Sequence, residues 1–323
     1  MMTRPAAKPA PVAAPPVAAP RMQADATSAP DARYLAQVQG WYATHARDLP
    51  WRQAGVSPWS ILVSEIMLQQ TPVSRVLPAH AAWLSRWPEP ARLAAASPAD
   101  AVRQWDRLGY PRRAVRLHSS AVIITTRHGG QVPALVEELR SLPGVGSYTA
   151  AAVASFAFGQ RHAVLDTNVR RVLARLVTGE CMPRPAPTVA EVRLAESLLP
   201  PDGREAARWS VGLMELGALV CTATRPRCDE CPLASQCAWL AMGRPPAVTR
   251  RAAAGYEGTD RQCRGRLLAV LRSAGGPVAL NEVMAAWPDS AQRERSLAAL
   301  IDDGLVTRCP DGSLALPGDE SLA

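Results

Sequence analysis

No stretch of this 323-residue chain holds the roughly 18 consecutive apolar residues that a helical membrane crossing needs, so no membrane span is expected. The N-terminus also lacks the unbroken apolar segment of a secretory signal, because Pro5, Pro9, Pro11, Pro15, Pro16 and Pro20 interrupt it. A chain without an export signal belongs in the reducing cytoplasm, where its seven cysteines have little use as structural disulfides. Segments alternating polar and apolar residues are scarce. Sheet-based folds are thereby disfavoured, and an all-α architecture is expected. No internal repeat is present.

What is present is a large apolar fraction, 48%, enough for a sizeable core. Lysine plus arginine number 36 against 28 acidic residues, a net charge of +8 and a pI near 9.5. That balance favours a polyanionic partner, with nucleic acid foremost. Residues 1–30 are largely Ala and Pro with one acid, Asp25, and read as a disordered tail. Helical periodicity starts near Asp31, with Tyr34, Leu35, Val38, Trp41 and Tyr42 on one face, and continues to about residue 243. Arg-Pro-Pro, Arg250-Arg251 and three alanines mark a linker over 244–258. Beyond it, helices are expected at 260–273, 280–287 and 290–303. Leu305–Arg308 and Ser313–Leu316 then flank a Pro310-Asp311-Gly312 turn. Three helices followed by a hairpin suggest a winged-helix-like segment over 259–323.

Cys221, Cys228, Cys231 and Cys237 follow a C-x6-C-x2-C-x5-C spacing. Four thiols this close, in a reducing compartment, indicate a metal site. Zinc is usually held by two short C-x2–4-C knuckles far apart in sequence; one knuckle with a single ligand on each side suits the separated iron corners of a [4Fe–4S] cluster better. Structural zinc remains the alternative. Arg225 and Arg227 lie between the first two cysteines, where pinned guanidinium groups are placed to hold phosphate. A solvated basic loop is the plainer reading. Cys181, Cys263 and Cys309 are scattered and read as small apolar residues.

Leu142-Pro143-Gly144-Val145-Gly146-Ser147 lies between helical segments expected at 134–141 and 147–158. Glycines permit a tight turn with exposed N–H groups, and the following helix directs its positive end to the same place. Together these grip a phosphate without reading base sequence. The pattern is a helix-hairpin-helix, although such a run also occurs as an ordinary loop. Asp166 directly precedes a basic helix, where Asp is a good N-cap. Glu65 falls within Trp59–Gln70, with Ile61, Leu62 and Leu68 three and four residues away. A glutamate on an apolar helix face meets a desolvation penalty, which raises its pKa and suits a general acid; pairing with an arginine such as Arg52 is the alternative. Two carboxyl groups suit cleavage of a glycosidic bond, one protonating the leaving group and one stabilising or trapping the positively charged sugar.

The hairpin, Asp166 and the four cysteines resemble the helix-hairpin-helix glycosylase superfamily that includes endonuclease III. Leu49-Pro50-Trp51-Arg52, Ser64–Thr71 and Leu108-Gly109-Tyr110 are similar to the MutY family of adenine DNA glycosylases, over about residues 33–240. The resemblance implies a six-helix barrel at 57–165 facing a cluster lobe made of 31–56 with 166–243. It implies a monomer acting on double-stranded DNA that contains a mispair, in the cytoplasm beside the nucleoid. The target would be adenine opposite 8-oxoguanine or guanine. The implied roles are Glu65 as general acid, Asp166 as stabiliser or nucleophile and Asn168 on the sugar side. Trp51, Arg52, Leu68 and Glu215 would line the base pocket. Gln69, Gln70 and Tyr110 would contact DNA, Gln70 and Tyr110 filling the stack that the flipped base leaves; Tyr110 also reads as a plain core aromatic.

Two departures qualify these expectations. Strand-cleaving relatives carry a lysine, able to form a Schiff base, where this chain has Tyr148. Base removal without efficient strand cleavage is therefore expected, with thymine or uracil removal from G·T mispairs, or a catalytically silent DNA-binding cluster protein, as the alternatives. The Nudix-like domain common in this family is absent, because 259–323 is too short and too helical. Recognition of the opposite base then falls to the catalytic domain or to the C-terminal segment, or is relaxed. That segment either binds DNA or only packs against its neighbours.

Overall fold

The computed structural model describes residues 32–247 and 255–320; the expected tail at 1–30 and the centre of the expected linker, 248–254, lie outside the described residues. The architecture is all-α, as expected. In chain order the helices are α1 (Ala32–His45), α2 (Pro58–Leu68), α3 (Val73–Arg86), α4 (Pro90–Ala94), α5 (Pro98–Trp105), α6 (Arg112–Arg127), α7 (Val136–Ser141) and α8 (Ser147–Phe158). They continue with α9 (Thr167–Leu173), α10 (Val189–Ser197), α11 (Gly203–Leu219), α12 (Ala238–Ala241), α13 (Asp260–Ser273), α14 (Leu280–Met284) and α15 (Ser290–Asp302). A two-residue hairpin pairs β1 (Thr307–Arg308) with β2 (Leu314–Ala315), and Val278 bridges to Leu314 alongside it. None of these helices is long and apolar enough to cross a membrane.

Helix starts follow local chemistry. Ser57-Pro58 and Ser97-Pro98 pair a capping hydroxyl with a proline whose missing N–H costs nothing in the first turn: Ser57 Oγ accepts from Ser60 N at 3.2 Å, and Ser97 Oγ from Asp100 N at 3.0 Å. Thr188 and Glu191 close a capping box at α10. Segment 57–165 holds helices α2 to α8, among them the five-residue α4, which Glu89-Pro90 starts.

Two apolar cores organise the chain. One centres on α2, α3, α5 and α6, with Leu62, Ile66, Trp83, Trp105, Leu117 and Ile124 fully or almost fully buried. Trp83 meets Trp87 and Trp105 edge-on at 4.6 and 5.6 Å. The other joins α1, α9 and α11 through Val38, Val169, Leu173, Trp209, Leu213 and Leu216.

The C-terminal helices share a core with the barrel: Leu267, Leu271, Leu300 and Leu314 belong to the first core. The junction is also stitched by polar contacts. Arg112 pairs with Asp303 at 2.9 Å, Arg103 pairs with Asp319, and Arg272 donates to the Asp106 carbonyl.

Candidate active site

The end of α2 and the start of α9 face one cavity of about 900 Å³, within the range of small-molecule sites. Its walls bring together Trp51, Arg52, Glu65, Leu68, Gln69, Gln70, Tyr148, Asp166 and Asn168, supplied by segments that are far apart in sequence.

Helix α2 is buried along nearly its whole length, and Glu65 is only 6% exposed. Burial pushes its carboxyl up to about 7; Asp166 adds to the rise, while the Tyr148 hydroxyl, within hydrogen-bonding reach, and the charge of Arg52 oppose it. A carboxyl group with this pKa is about half protonated at neutral pH. Burial drives the Tyr148 hydroxyl well above the ordinary tyrosine range, so it remains a donor. Tyr148 offers no amine, and the only lysine in the chain, Lys8, lies outside the described residues.

Asp166 caps α9 and faces the cavity at the same time, so the two readings of this residue are compatible. Its Oδ1 accepts from Val169 N at 2.6 Å and its Oδ2 from Asn168 Nδ2 at 2.8 Å. Burial raises its pKa, against these hydrogen bonds. Asn168 Oδ1 in turn accepts from Arg171 Nη2 at 2.7 Å, and Arg171 also donates to the carbonyls of Gly217 and Cys221, each at 2.7 Å. Asn168 is therefore a strut behind Asp166, with its amide committed to protein partners.

Two expectations about the pocket are corrected. Glu215 does not line it; the side chain is wholly buried behind Arg47 and Arg52. Arg47 Nε meets Glu215 Oε1 and Arg52 Nη1 meets Glu215 Oε2, both at 2.6 Å. Burial disfavours the charge on Glu215, but the two guanidinium groups outweigh it and hold the carboxyl at about 2. Arg52 is thus the partner of Glu215 and not of Glu65. The wall is built by the arginines and the carboxylate fixes them.

The hairpin forms between α7 and α8 as expected, with Gly144 at φ +84°, a conformation that requires glycine. Val145 is corrected: it is buried, and its N–H donates to Leu142 O at 3.1 Å. Gly146 and Ser147 are exposed at the start of α8, which has no side-chain cap, so the outward donors are theirs. Gln69 is also corrected. Its Nε2 donates to Gly144 O and Thr149 Oγ1, each at 3.2 Å, tying the end of α2 to the hairpin rather than projecting outward. Gln70 and Tyr110 are exposed and both hold positive φ, 56° and 49°; Tyr110 is not a core aromatic. Such strain persists only where neighbours impose it.

Here the neighbour is Arg113, which sequence reasoning missed. Its buried guanidinium donates to Ile66 O, Met67 O and Gln69 O at 2.6–2.9 Å, and to Thr71 Oγ1 and Gly109 O at 2.8 Å. One cation therefore holds the Gln70 turn and the Tyr110 turn together. Only its position three residues past Tyr110 in an otherwise apolar register signalled it.

Cys221, Cys228, Cys231 and Cys237 line one cavity, together with Arg175 and Trp239. Four thiols lining one shared space fit an iron–sulfur cluster. Arg175, 1% exposed, stacks over Trp239 at 4.5 Å and donates to Cys221 Sγ at 3.3 Å, placing a buried positive charge where an anionic thiolate cluster needs one. Arg227 corrects the basic-loop reading in part. It is exposed but pairs with Glu230 at 2.9 Å and donates to Leu219 O at 2.6 Å, whereas exposed Arg225 has no carboxylate partner within ion-pair distance among the described residues.

Residues 63–195 match the family model described as HhH-GPD superfamily base excision DNA repair protein, and 221–237 match the iron–sulfur binding domain of endonuclease III. An adenine DNA glycosylase of Mycobacterium tuberculosis is 55% identical over 282 residues, 86% of this chain and 92% of that protein. The chain belongs to the adenine DNA glycosylase family. A second adenine DNA glycosylase, from Mycolicibacterium smegmatis, is 51% identical over 284 residues, 88% of this chain and 96% of the relative. Likeness of this length runs past residue 240, so it includes C-terminal chain that the motifs alone did not reach. Among solved structures, a thermostable thymine-DNA glycosylase superposes with a TM-score of 0.59 at 28% identity, covering 65% of this chain and 95% of that one. The iron–sulfur match runs from Cys221 to Cys237, and a [4Fe–4S] cluster is the cofactor of this family.

Proposed function

We propose that this protein hydrolyses the N-glycosidic bond of adenine that faces 8-oxoguanine or guanine in duplex DNA, and leaves the strand uncut. The observation that carries the reading is the pairing of a Glu65 carboxyl poised near neutrality with Asp166 across one cavity. Adenine leaves poorly as an anion. Glu65 donates a proton to a ring nitrogen as the C1′–N bond breaks, and the bonding electrons depart with the base. The Asp166 carboxylate faces the positively charged sugar, held in place by Asn168 and the α9 N-terminus. Water then adds to C1′ and its proton goes to the carboxylate that Glu65 became in the first step, which restores the acid. No amine competes with that water, since Tyr148 occupies the hairpin position where strand-cleaving relatives carry lysine.

In this reading the barrel at 57–165 and the lobe made of 31–56 with 166–243 bind DNA across the cleft between them. Gly144, Gly146, Ser147 and Arg225 meet phosphates, while Trp51, Arg52 and Leu68 enclose the flipped base. The [4Fe–4S] cluster, when bound, supplies Fe–S bonds that brace the loop bearing Arg225. The enzyme works as a monomer in the cytoplasm beside the nucleoid.

The test is single-turnover base release from duplexes containing A opposite 8-oxoguanine, A opposite G and T opposite G. Adenine release from the first two is expected, and a preference for T opposite G would replace this reading with thymine removal. Asp166→Asn is expected to bind the A-containing mispair yet release no base; full activity in that variant would refute the assignment of Asp166.

A further inference from the structure

A second groove, about 960 Å³, opens where the C-terminal helices meet the barrel. Gln70 lines both this groove and the catalytic cavity, whereas Glu65 lines only the cavity and Tyr110 only the groove. The groove thus begins on the far side of Gln70 from the chemistry. Its walls carry six arginines, Arg75 and Arg107 from the barrel with Arg261, Arg264, Arg266 and Arg272 from α13, against one lining acid, Asp106. Arg264 is paired with Asp303. Among the described residues the other five arginines have no carboxylate partner within ion-pair distance, and Arg75, Arg107, Arg261 and Arg266 are exposed. Exposed Tyr256 stands at the rim with the Arg261 guanidinium 5.0 Å from its ring centre.

Arginines concentrated in a concave surface without compensating acids form a phosphate-binding surface, because the guanidinium fork matches phosphate oxygens. We propose that this groove holds the sugar–phosphate backbone of the DNA strand opposite the flipped adenine. The inference rests on the adenine reading. In that reading the lesion strand enters the cavity, and the Gln70–Tyr110 pair occupies the vacated stack. The strand across that wedge then lies on the groove side. The C-terminal helices, which share a core with the barrel, thereby present Arg261 and Arg266 to the strand that carries the base to be recognised. A backbone clamp of this kind fixes where the opposed base sits.

The experiment uses the full chain with Asp166→Asn, so that DNA remains intact, and measures the dissociation constant against salt. The probes are a duplex with A opposite 8-oxoguanine and the single strand that carries the adenine. Replacing Arg261 and Arg266 by Ala should make the duplex salt slope shallower by about 2, since each phosphate contact contributes about 0.9. Single-strand binding should be unchanged. In the arginine-intact protein, neutral methylphosphonate linkages on the opposite strand should weaken binding, and the same linkages should have no further effect on the double variant. Equal losses on duplex and single strand would overturn the proposal, as would an unchanged salt slope or a methylphosphonate effect confined to the adenine strand. Base release by the unaltered enzyme is measured in parallel. Its absence would overturn the adenine reading, and with it the identity of the opposed base, separately from the phosphate contacts.

Discussion

Gly217→Ala adds a single methyl group to α11, and the structure specifies where it goes. The new Cβ would stand 2.7 Å from Asn168 Cβ and 3.0 Å from Asn168 O. Carbon atoms in contact sit roughly 3.5–4.0 Å apart, so helix and strut must separate by about 1 Å. Arg171 resists that separation, because it grips Asn168 Oδ1 and Gly217 O together, each at 2.7 Å. Overpacking of this kind costs about 1–3 kcal/mol of stability. Asn168 carries Asp166 with it through its 2.8 Å hydrogen bond, and a misplacement of about 1 Å at a reacting group costs on the order of 100-fold in rate. DNA affinity should change little, since the hairpin lies elsewhere. Thermal denaturation, equilibrium binding and single-turnover adenine release measure the three quantities separately. Gly212→Ala is the control on the same helix: its Cβ would meet only Val38 Cγ1, at 2.6 Å, so it should cost stability without a comparable loss of rate. A folded Gly217→Ala enzyme with unaltered release rate would refute the claim that Asn168 sets the position of Asp166.

The rate of base release should fall roughly tenfold per pH unit above about 7, because Glu65 must be protonated to act and its pKa lies there. It should fall again on the acid side, as Asp166 becomes protonated at a pH above the ordinary aspartate range; a single-turnover profile that stays flat from pH 6 to 9 would remove the Glu65 assignment. Tyr148→Phe deletes a hydrogen bond that lowers the Glu65 pKa, so the alkaline limb of that profile should move to higher pH. Purified protein should be brown with about four irons per chain, and a colourless preparation with one tightly bound zinc would contradict the cluster. Arg113→Gln strands the carbonyls of Ile66, Met67 and Gln69, and should cost at least about 3 kcal/mol by denaturant unfolding.

Features encoded over short spans of chain were legible without the structure. The cysteine spacing, the Gly144 turn and the Asp166 cap each depend on neighbours within about one or two turns, and all three formed. Glu65 was legible because its own helix register marked it as buried. The partners of Arg52 were not, since Glu215 lies 163 residues away and nothing local in either segment signals the other. Val145 misled for a related reason: the motif suggests exposed donors, but a side chain buried in the barrel core turns its N–H inward. The C-terminal helices were located almost residue by residue. Their merger with the barrel core depends on contacts between Leu271, Leu300 and helices more than a hundred residues earlier, and no periodicity reports that.

The Glu215 carboxylate has a consequence for the order in which the protein is made. Arg47 and Arg52 leave the ribosome early, and the residue that holds both is added 168 and 163 residues later. At ~5–20 residues per second that interval is roughly 8 to 30 s. The barrel with Glu65 and the hairpin is synthesised well within it. For that time the nascent chain carries both arginines without the carboxylate that fixes them, so this part of the pocket wall is set only once α11 has been made.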